Sequence, residues 1–158
     1  MLYFAYGSNL NHEQMRERCP GHAVVGLAQL RDHRLVFPLH SHSWEGGVAG
    51  VATAHGQSVW GMVYDLNDDD VAALDRYEGY RGPGDQHNVY DREMTWVELT
   101  RADDGSFPRR IRVAIYLARP ANGGPPSRRY LDAILAGAKH HRLPADYVVA
   151  LEKLPTRD

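Results

Sequence analysis

The chain opens with a short apolar run, a tight polar turn and a polar stretch, which together predict a strand that passes into a helix. The run covers residues 2–5, the turn residues 6–10 and the helix residues 11–18. Farther along, runs rich in Val and Leu are separated by Gly, Asp and His. They predict four more strands, at residues 23–30, 34–39, 48–55 and 59–66.

Beyond residue 66, the sequence predicts three helices and one hairpin. Apolar and polar positions alternate over residues 89–100 and 110–117, which predicts two antiparallel strands joined through Asp104 and Gly105. A loop rich in Gly and Pro follows and excludes a helix or a central strand at residues 120–126. Apolar spacing, N-cap residues and an early Pro predict the helices at residues 68–77, 127–141 and 144–154.

Many short strands interrupted by only a few helices favour an α+β fold. We expect a compact, mostly antiparallel and barrel-like sheet with flanking helices packed outside it. The chain of 158 residues has the size of one ordinary domain, and it contains no internal repeat and no low-complexity linker. The sequence therefore predicts a single domain over residues 1–158.

The composition excludes several classes of partner and site. A formal net charge of −2 gives no electrostatic reason to expect binding to nucleic acid or to an anionic membrane. Cys19 is the only cysteine, which excludes an internal disulfide and argues against a metal site built from cysteines. The first residues contain neither a basic leader nor a long apolar span, so we expect a soluble cytoplasmic protein.

The turn Tyr6-Gly7-Ser8-Asn9-Leu10 is the first candidate site. Where a strand passes into a helix, the backbone N–H groups of Gly7, Ser8 and Asn9 can point into one concavity beside the helix start. Glycine allows a positive φ at such a turn, and Ser8 and Asn9 can cap the helix or contact a ligand. The segment indicates a site for an anion or a developing oxyanion, although an ordinary capping turn has the same composition.

Glu78 is the candidate general base. It stands at the end of the predicted acidic helix, directly before Gly79 and beside Tyr77 and Tyr80. A helix C-terminus and burial against aromatic rings both disfavour the anion, so the sequence predicts a raised pKa for Glu78. A base that works near neutral pH needs such a shift. The alternatives are a solvated surface acid at this position and Asp75 as the acid–base residue.

Short motifs follow one another along nearly the whole chain. In order, they are residues 4–10, Val59-Trp60-Gly61, Leu74-Asp75, Glu78-Gly79, Tyr90, Pro126-Ser127 with Tyr130, Gly137-Ala138-Lys139, Leu143-Pro144 and Tyr147. Each motif alone is weak, but the whole series in this order is hard to obtain by chance. In these motifs the chain resembles the γ-glutamylcyclotransferase family.

The resemblance implies a compact β-barrel-like fold with flanking helices, no metal, no organic cofactor and one catalytic glutamate, Glu78. The enzyme acts on a small-molecule γ-glutamyl substrate. By the same resemblance, the residues that bind this substrate are Tyr6, Gly7, Ser8, Asn9, Leu10, Tyr90 and Tyr130.

The implied reaction closes a γ-glutamyl amide to 5-oxoproline and releases an amine. Because the α-amine attacks the γ-carbonyl of its own molecule, the enzyme mainly orients the substrate, moves protons and stabilises the oxyanion. Glu78 takes a proton from the α-amine and returns one to the departing amine. A small γ-glutamyl amino acid is the default substrate, and γ-glutamyl amines and larger γ-glutamylated metabolites are the alternatives. The sequence does not decide whether the turn binds the substrate α-carboxylate or the oxyanion, and it does not give the oligomeric state.

The segment between Glu78 and Tyr90 departs from the resemblance. Residues 81–87 form a longer and more glycine-rich connection than the family pattern leads us to expect. We expect this segment to act as a lid or to set the preference for the leaving group, with Arg81 or His87 reaching the ligand. It also puts the binding role of Tyr90 in question.

Other chemistries compete with this interpretation. His40 with His42, and His140 with His141, have spacings that a metal site can use, but no acidic or cysteine partner has a matching position. Ser8 lacks the Gly-x-Ser-x-Gly elbow of an acyl nucleophile, and a phosphate site would need a Walker lysine. The remaining alternative is a non-catalytic module of the same fold that binds a small ligand or a partner.

Overall fold

Within residues 1–103 and 105–158, which the computed structural model describes, five strands and four α-helices succeed one another. In chain order they are β1 (Leu2–Ala5), α1 (His12–Arg18), β2 (Ala23–Ser41), β3 (Gly46–Asp65), α2 (Asp68–Tyr77), β4 (Tyr90–Ala102), β5 (Arg110–Ala118), α3 (Arg128–His140) and α4 (Ala145–Glu152). A 3₁₀ turn at Ser8–Leu10 connects β1 to α1. None of the described helices has both the length and the apolar composition needed to cross a membrane.

The five strands form a closed barrel in the spatial order β1-β3-β2-β4-β5. Neighbouring strands run antiparallel, except where the barrel closes and β1 lies parallel to β5 at Tyr3 and Ala114. The helices flank this sheet. The architecture confirms the predicted α+β fold with a mostly antiparallel, barrel-like sheet.

β2 and β3 are much longer than the sequence predicts. The expected break at Asp32 and His33 is an irregularity within one strand of 19 residues, and the expected turn at Gly56 and Gln57 lies within one strand of 20 residues. Asp32 has a φ of 60°, and its carboxylate accepts a hydrogen bond from the N–H of Gly56 on the neighbouring strand. The two irregularities face each other in one continuous hairpin. The sequence predicts breaks at these positions because a bulge and a turn use the same residue types.

The helices and the second hairpin lie where the sequence places them. α2 follows Asn67, whose side chain accepts a hydrogen bond from the N–H of Asp70, and α3 follows Ser127, which caps Tyr130 in the same way. β4 and β5 pair in antiparallel register as predicted. Asp104, part of the predicted turn between them, lies outside the described residues.

α3 packs against the turn that follows β1. Its apolar stripe is buried, as its spacing predicts, and consists of Tyr130, Leu131, Ile134, Leu135 and Ala138. Where the helix meets the turn, Gly137 lies so close that a Cβ there would come within 2.1 Å of the carbonyl group of Leu10. The close approach of α3 to the turn therefore requires glycine at this position.

Replacing Gly137 by alanine should destabilise the protein. In an exposed helix this substitution stabilises by about 1 kcal/mol, but here the added methyl group collides with the backbone of Leu10. We expect a net loss of about 1–3 kcal/mol in the free energy of unfolding, measured by urea denaturation. Gly124→Ala is the control, because a Cβ there meets nothing within 4 Å. A Gly137→Ala variant more stable than the parent would contradict this packing.

Candidate active site

A cavity of about 270 Å³ opens between the Ser8–Leu10 turn, the end of α2, the connection from β2 to β3 and the start of α3. Among the described residues that line it, Glu78 is the only acid. A concave cavity in which polar side chains converge is typical of a small-molecule site. Much of its buried wall is formed by Tyr3, Tyr6, Tyr90, Tyr116 and Tyr130.

Glu78 is held at the C-terminus of α2. Its N–H donates to the carbonyl of Leu74 at 2.9 Å, so Glu78 completes the last turn of the helix. Gly79 then adopts a positive φ of 65° and reverses the direction of the chain. The N–H of Tyr90 donates back to the carbonyl of Glu78 at 3.3 Å. Hydrogen bonds on both sides of its backbone therefore fix Glu78.

Burial raises the pKa of Glu78 from its ordinary value of 4.5 to about 7. The positive charge of Arg18 and a hydrogen bond from Asn9 act in the opposite direction and limit this rise in pKa. The direction is the one predicted from the sequence. Near neutral pH both forms of the carboxyl group are populated, so the group can accept a proton and also donate one.

The side chain of Asn9 connects Glu78 to Arg18. Its amide nitrogen donates to Oε1 of Glu78 at 3.2 Å and to the hydroxyl of Tyr3 at 3.0 Å. Its amide oxygen accepts from Arg18 at 3.1 Å and from Gln14 at 2.9 Å. Because donors surround this oxygen, only the nitrogen can face Glu78. The second carboxyl oxygen of Glu78 forms no hydrogen bond within the described residues, which leaves it for a ligand.

Asp75, the rival acid in the sequence, has both carboxylate oxygens occupied. One accepts a hydrogen bond from the hydroxyl of Tyr116 at 2.6 Å, and the other pairs with Arg92. Its side chain does not line the cavity. Asp75 therefore positions Tyr116 in the cavity wall and ties α2 to β4 and β5, and the geometry does not support it as the acid–base residue.

Tyr6 and Tyr90 offer hydrogen-bond acceptors to a ligand. The hydroxyl of Tyr6 donates its proton to the carbonyl of Tyr116 at 2.6 Å, and the hydroxyl of Tyr90 donates to the carbonyl of Ala49 at 2.8 Å. With these protons engaged, the two phenol oxygens keep lone pairs that can accept from a cationic group.

Tyr130 offers a donor instead. Its hydroxyl oxygen accepts a hydrogen bond from the backbone N–H group of Ala49 at 2.9 Å. The hydroxyl proton has no acceptor among the described residues, so it is left to donate to a ligand. The ring packs edge-on against Trp44, with centroids 5.0 Å apart, which restricts its motion.

Most of the predicted site residues line the cavity, namely Tyr6, Gly7, Ser8, Asn9, Glu78, Tyr90 and Tyr130. Leu10 does not line it, and the prediction that Leu10 binds substrate is not supported, because its side chain is fully buried in the core. Gly7 has a φ of −110°, so the turn does not use a positive φ. A Cβ at Gly7 would instead approach Ala49 and the Tyr130 hydroxyl to about 3 Å.

The cavity is also lined by Tyr3, Arg18 and Tyr116, which were not predicted from the sequence. Tyr3 and Tyr116 lie on the neighbouring strands β1 and β5, where their rings meet at 5.6 Å, and only the closure of the barrel brings them together. Arg18 and Gln14 stand four residues apart on α1 and reach the same oxygen of Asn9. This spacing was a signal in the sequence that could have found Arg18.

The glycine-rich segment at residues 81–87 lies beside the cavity. Its flanking residues Gly79 and Val89 line the cavity, but Arg81 and His87 do not. The side chain of Asn88 holds the segment by accepting a hydrogen bond from the N–H of Arg81 at 2.7 Å. The geometry does not support the expectation that Arg81 or His87 reaches a ligand.

The histidine pairs considered as metal ligands in the sequence do not form a shared site. His40 lines the cavity, whereas His42 does not. The ring of His140 stacks on that of His12 at 3.7 Å, within the contact between α1 and α3. In the described part of the chain, no three His, Cys, Asp or Glu side chains form a group that could hold a metal ion.

Known proteins resemble the chain over nearly its whole length. A family model described as "Gamma-glutamyl cyclotransferase, AIG2-like" matches residues 3–137. A γ-glutamylcyclotransferase from Homo sapiens is 32% identical over 99% of this chain and 80% of the relative. A γ-glutamylcyclotransferase from Mus musculus is 31% identical over 97% of this chain and 78% of the relative.

The resemblance extends to three dimensions. A solved structure described as "Gamma-glutamyl cyclotransferase" superposes with a TM-score of 0.87 at 31% identity, and the match covers 100% of this chain and 89% of that one. Family model, relatives and fold thus confirm the family resemblance that the sequence motifs indicate. The chain belongs to the γ-glutamyl cyclotransferase, AIG2-like family of enzymes.

Proposed function

We propose that the chain is a γ-glutamylcyclotransferase in which Glu78 transfers the protons of the reaction. It converts a γ-glutamyl amide, by default a small γ-glutamyl amino acid, to 5-oxoproline and a free amine. The observation that carries the proposal is a single carboxyl group, with a pKa of about 7, in the wall of a tyrosine-lined cavity.

The reaction needs no second substrate, because a γ-glutamyl amide contains both reacting groups. Glu78 takes a proton from the α-ammonium, and the freed amine attacks the γ-carbonyl carbon of the same molecule. The bond to the departing nitrogen breaks as Glu78 returns the proton to that nitrogen. One C–N bond forms and one breaks. The attacking nitrogen also loses a second proton to solvent, and the amine, which leaves neutral, takes up a proton from solvent, so the ammonium charge moves from the α-nitrogen to the released amine.

The tyrosines orient the γ-glutamyl group for this attack. The phenol oxygens of Tyr6 and Tyr90 accept hydrogen bonds from the α-ammonium, since their own protons are bound to backbone carbonyls. Tyr130 donates its hydroxyl proton to the oxygen on which negative charge develops. A fixed donor at this point stabilises the transition state more than the ground state.

A non-catalytic binding module of the same fold is the alternative. A carboxylate that only held an ammonium group would serve best when fully ionised at neutral pH. The pKa of about 7 weakens such an ion pair at Glu78 and instead suits proton exchange. Burial of this acid therefore favours catalysis over simple binding.

Glu78→Gln should abolish most of the turnover while the fold is kept. The amide is nearly isosteric with the acid but cannot accept the proton, so we expect kcat to fall by about 10²- to 10⁴-fold. The measurement is release of 5-oxoproline from γ-glutamyl-alanine. Glu93→Gln, which makes the same change at an exposed position of β4, is the control and should keep parental activity. Normal turnover by Glu78→Gln would disprove the catalytic assignment.

The activity should depend on pH through Glu78. Below a pKa of about 7 this residue is protonated and cannot act as a base, so kcat/KM should fall about tenfold per pH unit on the acid side. Arg18→Gln should move this acid limb to higher pH, because the charge of Arg18 lowers the pKa of Glu78. Arg16→Gln, at an exposed position of α1 that does not line the cavity, should leave the limb in place. A limb that stays fixed in Arg18→Gln would contradict the assignment.

The free energy of unfolding should also depend on pH through Glu78. The folded-state pKa of Glu78 lies above its ordinary value of 4.5, so its contribution to stability is fully present below about pH 4.5 and is lost as pH rises through about 7. Glu78→Gln has no such loss. Between pH 4 and pH 8 its free energy of unfolding should therefore gain up to about 3 kcal/mol relative to the parent, measured by urea denaturation. A stability difference that does not change with pH would show that Glu78 is not a buried titrating group.

A further inference from the structure

The outer end of the cavity must face the departing amine if the γ-glutamyl group lies against Glu78 and the tyrosines. On the side of α2 the most exposed lining residues are Arg76, Tyr77 and Val89, and we call the opening beside them the mouth. Tyr77 is 59% exposed and Val89 46% exposed, whereas Tyr6 and Tyr130 deeper in the cavity are at most 6% exposed. The cavity is thus open to solvent on the side where the leaving group emerges.

The mouth carries an unpaired positive charge. The guanidinium of Arg76 forms neither an ion pair nor a hydrogen bond within the described residues, although it lies only two residues from Glu78. The nearby Arg18 is engaged differently, since it donates to Asn9 and lies over the ring of Tyr77 at 4.5 Å. Because no described acid other than Glu78 lines the cavity, an anionic group at the mouth would meet Arg76 without competition.

Trp44 gives the lining of the same cavity a fixed aromatic surface. Trp44 packs against Tyr130 on one side, and the guanidinium of Arg129 lies 4.5 Å from its ring centre. Arg129 also donates to the carbonyl of Ser43, which secures the connection between β2 and β3. The lining of the cavity therefore offers a leaving group both a flat aromatic surface, Trp44, and an unpaired cation, Arg76.

We propose that Arg76 sets the leaving-group specificity of the enzyme by pairing with a carboxylate on the departing amine. The inference rests on the proposed function and deepens it. A guanidinium can hold a carboxylate through two parallel hydrogen bonds, whereas it repels an ammonium. Leaving amines that carry a carboxylate are favoured, neutral amines are intermediate and cationic amines are disfavoured.

Matched substrates test this specificity. The probes are γ-glutamyl-alanine, γ-glutamyl-alaninamide and γ-glutamyl-1,2-diaminoethane, which place an anion, a neutral amide and a cation at the mouth. The three amines differ in basicity, so the informative quantity is the change in the ratio of kcat/KM values between the parent and each variant. The readout is the released 5-oxoproline.

Arg76→Gln should lower the preference for γ-glutamyl-alanine over its amide by about three- to tenfold, as expected for an ion pair at a partly exposed site. Arg76→Glu should reverse the order of the anionic and cationic substrates. The changes should appear mainly in KM, because Arg76 lies away from the reacting atoms. Equal losses for all three substrates, or an unchanged ratio, would overturn the proposal.

Arg81→Gln is the matched control. It removes the same charge from the loop that follows α2, but Arg81 does not line the cavity. Its substrate ratios should equal those of the parent. If Arg81→Gln changed the ratios as much as Arg76→Gln, the effect would come from the general surface charge and Arg76 would have no specific role.

A binding measurement separates this inference from the proposed function. In Glu78→Gln, titration calorimetry measures the affinities for γ-glutamyl-alanine and for its amide without turnover. We expect Glu78→Gln to bind γ-glutamyl-alanine more tightly, and the double variant with Arg76→Gln should lose this preference for the carboxylate. Loss of the preference supports the role of Arg76 even if the parent releases no 5-oxoproline, an outcome that would count against the activity alone. Equal binding of both ligands to Glu78→Gln would refute the role of Arg76.

Discussion

The candidate site depends on one buried amide, the side chain of Asn9. All four of its hydrogen-bonding positions are used, with Glu78 and Tyr3 at the nitrogen and Arg18 and Gln14 at the oxygen. A buried amide with every position satisfied avoids the cost of unpaired polar atoms and has only one orientation. Asn9 thereby joins the first turn of the chain to the end of α2 and leaves one oxygen of Glu78 facing the cavity. Its hydrogen bond also limits the rise in the pKa of Glu78.

A second contact holds the same helix from the other side. Asp75, one turn before Glu78, binds Tyr116 of β5 and Arg92 of β4, so α2 is attached to the barrel close to its functional end. Arg92 also lies over the ring of Tyr80, at 4.9 Å. These contacts stabilise the helix end that carries Glu78 and so offset part of the cost of burying its carboxyl group, as is common at functional sites.

Local chemistry explains what could be predicted from the sequence. The end of α2 at Glu78 and Gly79, and the cap at Ser127 that starts the helix of Tyr130, are set by neighbours in the chain. The features that could not be predicted from the sequence depend on tertiary contacts. Leu10 looked like part of the ligand turn, but packing under Gly137 draws it into the core. Tyr3 and Tyr116 have no local mark of function, and the kink at Asp32 looked like a turn because only pairing with the opposite strand shows that β2 continues.

The reversal after Glu78 separates the site from the loop that follows it. The N–H of Val89 donates to the carbonyl of Gly79 at 2.9 Å, next to the bond from Tyr90 to Glu78, so the largely exposed residues 81–87 lie beyond a hydrogen-bonded neck at the base of the loop. Changes beyond such a neck are absorbed within the loop, because both of its ends are fixed by the backbone. The length and composition of this segment can consequently drift during evolution without moving the carboxyl group, which makes the loop a natural place for sequences of this fold to diverge while their chemistry stays the same.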